Sequence, residues 1–259
     1  MLDFDEETVL RAAVKYGRAV AHAHRMYRRL VDIHGRRPFD FEVSVDETAT
    51  PTTIPEHFYI AYELKRLGVE WVSLAPRFVG RFEKGVDFIG DLSELDSTIE
   101  QHAAIMRSFG SYKLSLHSGS DKFSVYPIAA KHTRGLVHLK TAGTSYLEAL
   151  RVIASVDSQL FMKIYEFARD RYETDRASYH VSAELGKTPA HPATSELPIL
   201  LDQFDARQVL HVTFGSVLDH FRKELYTVLR AHEEDYYLVL EKHFRKHLDP
   251  LAPTKKKEM

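Results

Sequence analysis

The chain has 259 residues, with 35 Lys+Arg against 37 Asp+Glu and a formal charge of −2, so the basic excess of a general nucleic-acid binder is missing. It contains no cysteine, which excludes disulfides, cysteine-ligated zinc, thiolate nucleophiles and iron–sulfur clusters. Hydrophobic residues make up 44% and charged residues 28%, a globular balance, and the 15 histidines are an unusual stock of the commonest metal ligand.

The opening MLDFDEETVL is acidic and lacks the basic and apolar regions of a signal peptide. No apolar run approaches the roughly 18 residues of a membrane span. A soluble, cytoplasmic protein without membrane or nucleic-acid partners is expected. In chain order, Val9, Ala13, Tyr16, Val20, Ala23, Tyr27 and Leu30 recur at steps of four and three, predicting a first helix that stops at Gly35. A strand over Phe41 to Asp46 follows. Thr53-Ile54-Pro55-Glu56 then reads as a capping box opening a helix that runs through Leu67 to Gly68.

A second strand over Trp71 to Ala75 leads into a long loop through Gly90, and Ser97-Thr98-Ile99-Glu100 reads as the box of a helix ending at Gly110. Strands are expected at Tyr112 to His117 and Leu136 to Lys140, and Ser145-Tyr146-Leu147-Glu148 reads as a third box for a helix through about Ala154. A helix over Gln159 to Arg176, a weak strand over Tyr179 to Leu185 and a clearer one over Gln208 to Phe214 come next. The last is followed by an amphipathic helix with Leu218, Phe221, Leu225 and Leu229 in register. Residues 1–250 are expected to form one domain, with 251–259, including Lys255 to Lys257, as a disordered basic tail.

Strands alternating with helices imply an α/β fold with a parallel sheet and chemistry at the strands' carboxyl ends. Only five or six strand–helix units are visible, whereas a closed (β/α) TIM barrel needs eight. The sheet is therefore open, or the chain is the carboxyl-terminal part of a TIM-barrel-like fold, an incomplete barrel.

Side chains alternate across a strand. Glu42, Ser44 and Asp46 thus oppose Val43 and Val45; Lys113, Ser115 and His117 oppose Leu114 and Leu116; His138 and Lys140 oppose Val137 and Leu139; His211 and Thr213 oppose Leu210 and Val212. A polar face this regular is costly to bury without a purpose, and Asp46, His117, His138, Lys140 and His211 form the expected pocket. Imidazole and carboxylate donors suit zinc, manganese, cobalt or nickel. No HxH or HExxH spacing occurs, so a metal site would be assembled from separate strands.

Glu56, Glu100 and Glu148 are assigned to capping. The loop from Lys140 to Thr144 lacks a Walker or dinucleotide pattern, so no NTP or NAD site is expected. His180, His191, His220, His232, His243 and His247 read as solvated, and His57 as a neighbour of the Asp46 region.

The segments EVSVDET (Glu42 to Thr48), VSLAPRFVGRFEKGVDFIGDL (Val72 to Leu92), YKLSLHSGSDKFSVYPI (Tyr112 to Ile128), HLKTAGTSYLEALR (His138 to Arg151) and RQVLHVTFGSVL (Arg207 to Leu218) resemble those of the tagaturonate/fructuronate epimerases, relatives of the tagatose 4-epimerases. The resemblance runs from about residue 10 to residue 250. Family members are longer, and this chain resembles their carboxyl-terminal portion.

The resemblance implies divalent-metal-dependent C4 epimerisation of a ketohexuronate in hexuronate catabolism, with a sugar acid as substrate. On that reading His117 is the first metal ligand, with His138 and His211 as additions. Asp46 is the proton-transfer carboxylate, with Glu42 as its alternate. Arg77, Lys113 and Lys140 bind the substrate's carboxylate and hydroxyls, and Asp121 orients hydroxyls. A homo-oligomer or an amino-terminal partner chain is implied. The competing readings are a metal-dependent sugar aldolase or isomerase, and a non-catalytic subunit completed by a second chain.

Overall fold

The computed structural model describes residues 5–252 except 111 and 142; the expected tail beyond residue 252 lies outside them. Helix α1 (Glu6–His34) is capped by the Asp5 side chain, which accepts from Thr8 N–H, and it buries only Ala12, Tyr16 and Val20. Strand β1 (Glu42–Ser44) follows, then α2 (Ile54–Arg66), where the Thr53–Glu56 capping box is formed. The α1 face packs on α2, where Lys15 Nζ lies 3.0 Å from Glu56.

Strand β2 (Ser73–Ala75) precedes α3 (Leu92–Ser108). The expected start of α3 at Ser97 is corrected. Asp91 accepts from Ser93 N–H and Glu94 N–H and starts the helix earlier, because a short carboxylate at that position meets the orphan donors first. Strand β3 (Lys113–Leu116) leads to α4 (Tyr126–Thr133), and β4 (Val137–Leu139) leads to α5 (Thr144–Val156). The Ser145 box is also corrected: Gly143, in a left-handed conformation, is the N-cap, and the buried Glu148 turns inward to arginines.

The remainder is helical: α6 (Ser158–Asp175), α7 (Leu197–Leu200), α8 (Phe204–Val212), α9 (Phe214–Ala231) and α10 (Glu233–Leu248). No strand forms at Tyr179–Leu185, and the one expected at Gln208–Phe214 is helix. Short apolar runs do not distinguish the two by period. Here the Gln203 side chain accepts from Ala206 N–H and starts α8, which buries residues on every side.

The four strands form one parallel sheet in the order β1-β2-β3-β4, with Val43 beside Leu74, Leu74 beside Leu114, and Leu114 beside Val137. It is an α/β arrangement with an open sheet among the described residues, not a closed barrel. Val43, Leu74 and Leu114 meet α1, α2 and α3 in one core cluster; Leu116 joins α3 and α4 in a second; α5, α6, α8 and α9 make a third. No helix among the described residues is long and apolar enough to cross a membrane.

Candidate functional site

The polar face of the sheet carries a connected group of side chains. Glu42 on β1 leans across the buried Ser73 of β2, whose hydroxyl donates to it. Serine at this position leaves room for the reach; a larger residue would fill it. Glu42 Oε1 lies 2.8 Å from His117 Nε2, and Glu42 Oε2 lies 2.5 Å from His138 Nδ1. His117 Nδ1 lies 3.2 Å from Asp46 Oδ1, and Ser44 Oγ donates to the same carboxylate. Ser115 Oγ lies 2.9 Å from His138 Nδ1. Three strands thus bring Glu42, Asp46, His117 and His138 into one chain of contacts.

The electrostatics follow from that geometry. Ionised carboxylates accept only, so a ring held between Asp46 and Glu42 carries a proton on each nitrogen. The hydrogen bond to Asp46, and then that to Glu42, hold His117 above the usual imidazole range against the effect of its burial. Burial pushes the Glu42 carboxyl up, but hydrogen bonds from Ser73, His117 and His138 outweigh it and bring it down to about 2. Asp46 is likewise lowered: burial opposes, while His117 and Ser44 prevail.

Lys140, one residue past β4, is exposed, and its charge bears on His117. Lys84 sits in the loop after β2, within electrostatic reach of Lys140, Asp46 and Glu47. Burial and then Lys140 lower its ammonium. A lysine in a loop reads as solvated, so only the fold reveals it.

The other expected residues lie elsewhere. Lys113 opens β3 and is exposed at the end of the strand away from His117. Arg77 is tied by its backbone to Thr52, and its guanidinium makes no bond to the Glu42 group among the described residues. His211 is not on a strand: helix α8 places it against Gly85 and Gly143, where a Cβ on Gly143 would meet its Nε2 at 2.6 Å. His57 does not border Asp46. It is fully buried, with Nδ1 2.8 Å from His102 Nδ1 and Nε2 2.6 Å from Tyr112 Oη.

Asp121 belongs to a second, buried network. Its Oδ1 lies 3.1 Å from Arg207 and 3.2 Å from His243 Nε2; His243 Nδ1 lies 3.4 Å from Glu148, which pairs with Arg151 at 3.0 Å. His243 and His247, expected in solvent, are buried because α10 packs against α5 and the Asp121 loop. A cavity of about 540 Å³ adjoins this network, bounded by Asp121, Glu148, Arg151, Arg207 and His243. It does not adjoin the Glu42 group.

Asp121, His243 and His247 offer donor atoms within 4.8 Å of one another, so this trio too is a candidate metal centre. Both nitrogens of His247 are engaged, however. His247 Nε2 accepts the Asp121 backbone N–H at 3.1 Å, and its Nδ1 faces the His243 carbonyl at 3.0 Å. That fixes the tautomer, with the proton on Nδ1. Ligation would break the first bond and set a cation beside Arg207, so the trio is better matched to holding α10 in place.

With this geometry established, comparison with known proteins gives a consistent result. A family model described as tagaturonate epimerase matches residues 1–251. The tagaturonate/fructuronate epimerase of Thermotoga maritima is 48% identical over 254 residues, covering 96% of this chain and 52% of the relative. The native crystal structure of fructuronate-tagaturonate epimerase from Cohnella laeviribosi superposes with a TM-score of 0.93 at 40% identity, covering 97% of this chain and 53% of that one. A glycerol complex of the same enzyme gives 0.92 at 40% identity, covering 96% and 52%. The chain spans about half the length of the relatives it matches. It belongs to the tagaturonate epimerase family.

Proposed function

We propose that the Glu42–His117–Asp46–His138 group works on a ketohexuronate, interconverting D-tagaturonate and D-fructuronate at C4. The observation that supports this best is the convergence of two carboxylates and two imidazoles at the carboxyl ends of parallel strands, where α/β folds carry their chemistry, in a member of this family.

The substrate ketone is at C2, so a C4 proton is not acidified by it directly. The C4 hydroxyl makes the molecule a β-hydroxy ketone, and a retro-aldol route is open. Asp46 takes the hydroxyl proton, the C3–C4 bond breaks, and its electron pair passes to the C2 carbonyl as an enediolate. The new C4 aldehyde turns over, the enediolate re-adds to its other face, and the proton returns to the C4 oxygen. Glu42, held as a carboxylate by three donors, orients His117 and His138. Lys84 and Lys140 attract the substrate carboxylate as point charges.

The nitrogen and oxygen donors of His117, His138 and Glu42 are of the kind that holds zinc, manganese, cobalt or nickel, with Asp46 orienting His117 through its other nitrogen. To ligate, the group would release the His117 Nε2 proton and close up, since among the described residues Asp121, His243 and His247 are the trio whose donors already lie within 4.8 Å of one another. Such an ion would supply Lewis-acid polarisation of the carbonyl. His211 stands on α8 against Gly85 and Gly143 and not on the sheet, and Asp121 is left out of the set by its pairing with Arg207.

The edges β1 and β4 are unpaired among the described residues. We infer that the remaining length of the relatives, as a preceding segment or a partner chain, covers them and completes the centre. The test is conversion of D-tagaturonate to D-fructuronate by the chain with added divalent metal, alone and mixed with the amino-terminal half of the Thermotoga maritima relative. Conversion abolished by His117→Ala supports the reading; cleavage without re-addition would favour an aldolase, and no conversion in either arm would contradict it.

A further inference from the structure

We propose that Lys122 is a positioning residue: its ammonium clamps the loop after β2 to the loop after β3 and so sets where Lys84 stands beside Asp46 and Lys140. The inference rests on the reading of the Glu42–His117 group as the sugar-acid centre.

Lys122 is fully buried. Its Nζ donates to three backbone carbonyls, of Glu83 at 2.7 Å, Val86 at 2.5 Å and Ser120 at 2.9 Å. An ammonium has three N–H donors and a neutral amine has two, so only the charged form fills this cage. Burying an ammonium is costly unless its bonds are all made, and here they are. Burial still lowers the group to about 8, while Asp121 and Asp87 favour the charge and Lys84 and Arg207 oppose it.

The two carbonyls on the β2 side bracket Lys84 and Gly85, so they fix that turn from both ends. Glu83 is anchored independently: its carboxylate accepts from Ser182 N–H and Ser182 Oγ–H, and from Gln208 Nε2. On the β3 side the chain leaves His117 through Ser118 at φ 50° and reaches Asp121 at φ 61°, left-handed conformations that a non-glycine residue holds only when its surroundings fix them. The cage, with Tyr126 Oη accepting from Lys122 N–H and donating to the Gly119 carbonyl, holds that curved loop in place. One side chain therefore joins the segment that follows His117 to the segment that carries Lys84.

The experiment is a double-mutant cycle on the full chain, with D-fructuronate and D-fructose, which lacks the carboxylate, as calorimetric probes. Lys122→Met should weaken D-fructuronate binding by on the order of tenfold and D-fructose binding much less. In a Lys84→Ala background the same change should cost under about twofold. Amide exchange should rise at residues 84–86 and 118–121 in Lys122→Met and stay unchanged in β1 and β2. Additive effects, or loop amides that remain protected, would overturn the proposal.

Should Lys122→Met not fold, the wild-type chain labelled with 15N-lysine decides. A single ammonium resonance shielded from solvent exchange supports the clamp, and its absence overturns it. Wild-type protein that binds neither sugar, alone or mixed with the amino-terminal half of the Thermotoga maritima relative, would count against the functional reading, and the exchange data would then judge the clamp separately.

Discussion

His117 Nε2, one residue past β3, lies 2.8 Å from Glu42 Oε1 on β1, with the whole of β2 between the two strands. The contact exists because β2 offers Ser73 at that register, beside Glu42, and a hydroxyl fills the gap while donating to the carboxylate. The site is thus a property of strand register, since a slip by one residue would turn every one of these side chains to the helix side.

The two carboxylates around His117 are unequal, and substitution should expose it. Asp46→Asn is expected to lower the His117 titration more than Glu42→Gln does, because the Asp46 hydrogen bond is the largest influence raising it. Proton NMR titration of the histidine Cε1–H signals measures this. Equal shifts, or a larger one for Glu42→Gln, would contradict the arrangement.

His57 and His102 are buried together, with no carboxylate partner among the described residues. Burial drives His57 well below its usual range and brings His102 to about 4. The unfolded chain therefore binds protons first, so stability is fully present above about 6.5 and is lost as pH falls toward 4. The loss from His102 alone should be on the order of 3 kcal/mol. Urea unfolding at pH 7, 5.5 and 4.5 should show the decline, and His102→Gln should flatten it.

Arg207 is the cation shared by Asp121 and Glu148 in the second network. Removing one partner of a buried pair strands the other, at about 3–5 kcal/mol. Arg207→Met should therefore lower the melting temperature by roughly 10 °C without altering how much divalent metal the chain retains. A stable variant that loses metal would transfer the metal site to the Asp121 trio.

Gly143 and Gly135 both hold left-handed conformations, at φ 74° and 82°, but only Gly143 has His211 where a Cβ would go. Gly135→Ala should cost about 1–2 kcal/mol for the backbone alone. Gly143→Ala should cost more, and it should displace His211. Thermal melts of the two variants, read against each other, check the packing between the loop after β4 and α8.

The sheet and the Glu42–His117 group were largely legible because alternation within a short strand states which residues share a face. Alternation alone groups Asp46, His117 and His138 and puts Ser115 on the same face, while Ser73, small and inside an apolar run, carries no such signal. His211 misled for the same reason that the others succeeded: Leu210, Val212 and His211 alternate equally well on a buried helix. Lys84 and Lys122 could not be read, since a lysine's stem and charge suit solvent unless a loop folds over it. His243 and His247 needed the packing of α10 on α5, a contact between segments about a hundred residues apart.

The most direct measurement is a cobalt(II) titration of the chain labelled with 13C-histidine. The account predicts that one equivalent of the paramagnetic ion broadens or shifts His117 and His138, while His243 and His247 are left unperturbed. Perturbation of His243 and His247 with His117 and His138 unmoved would contradict it.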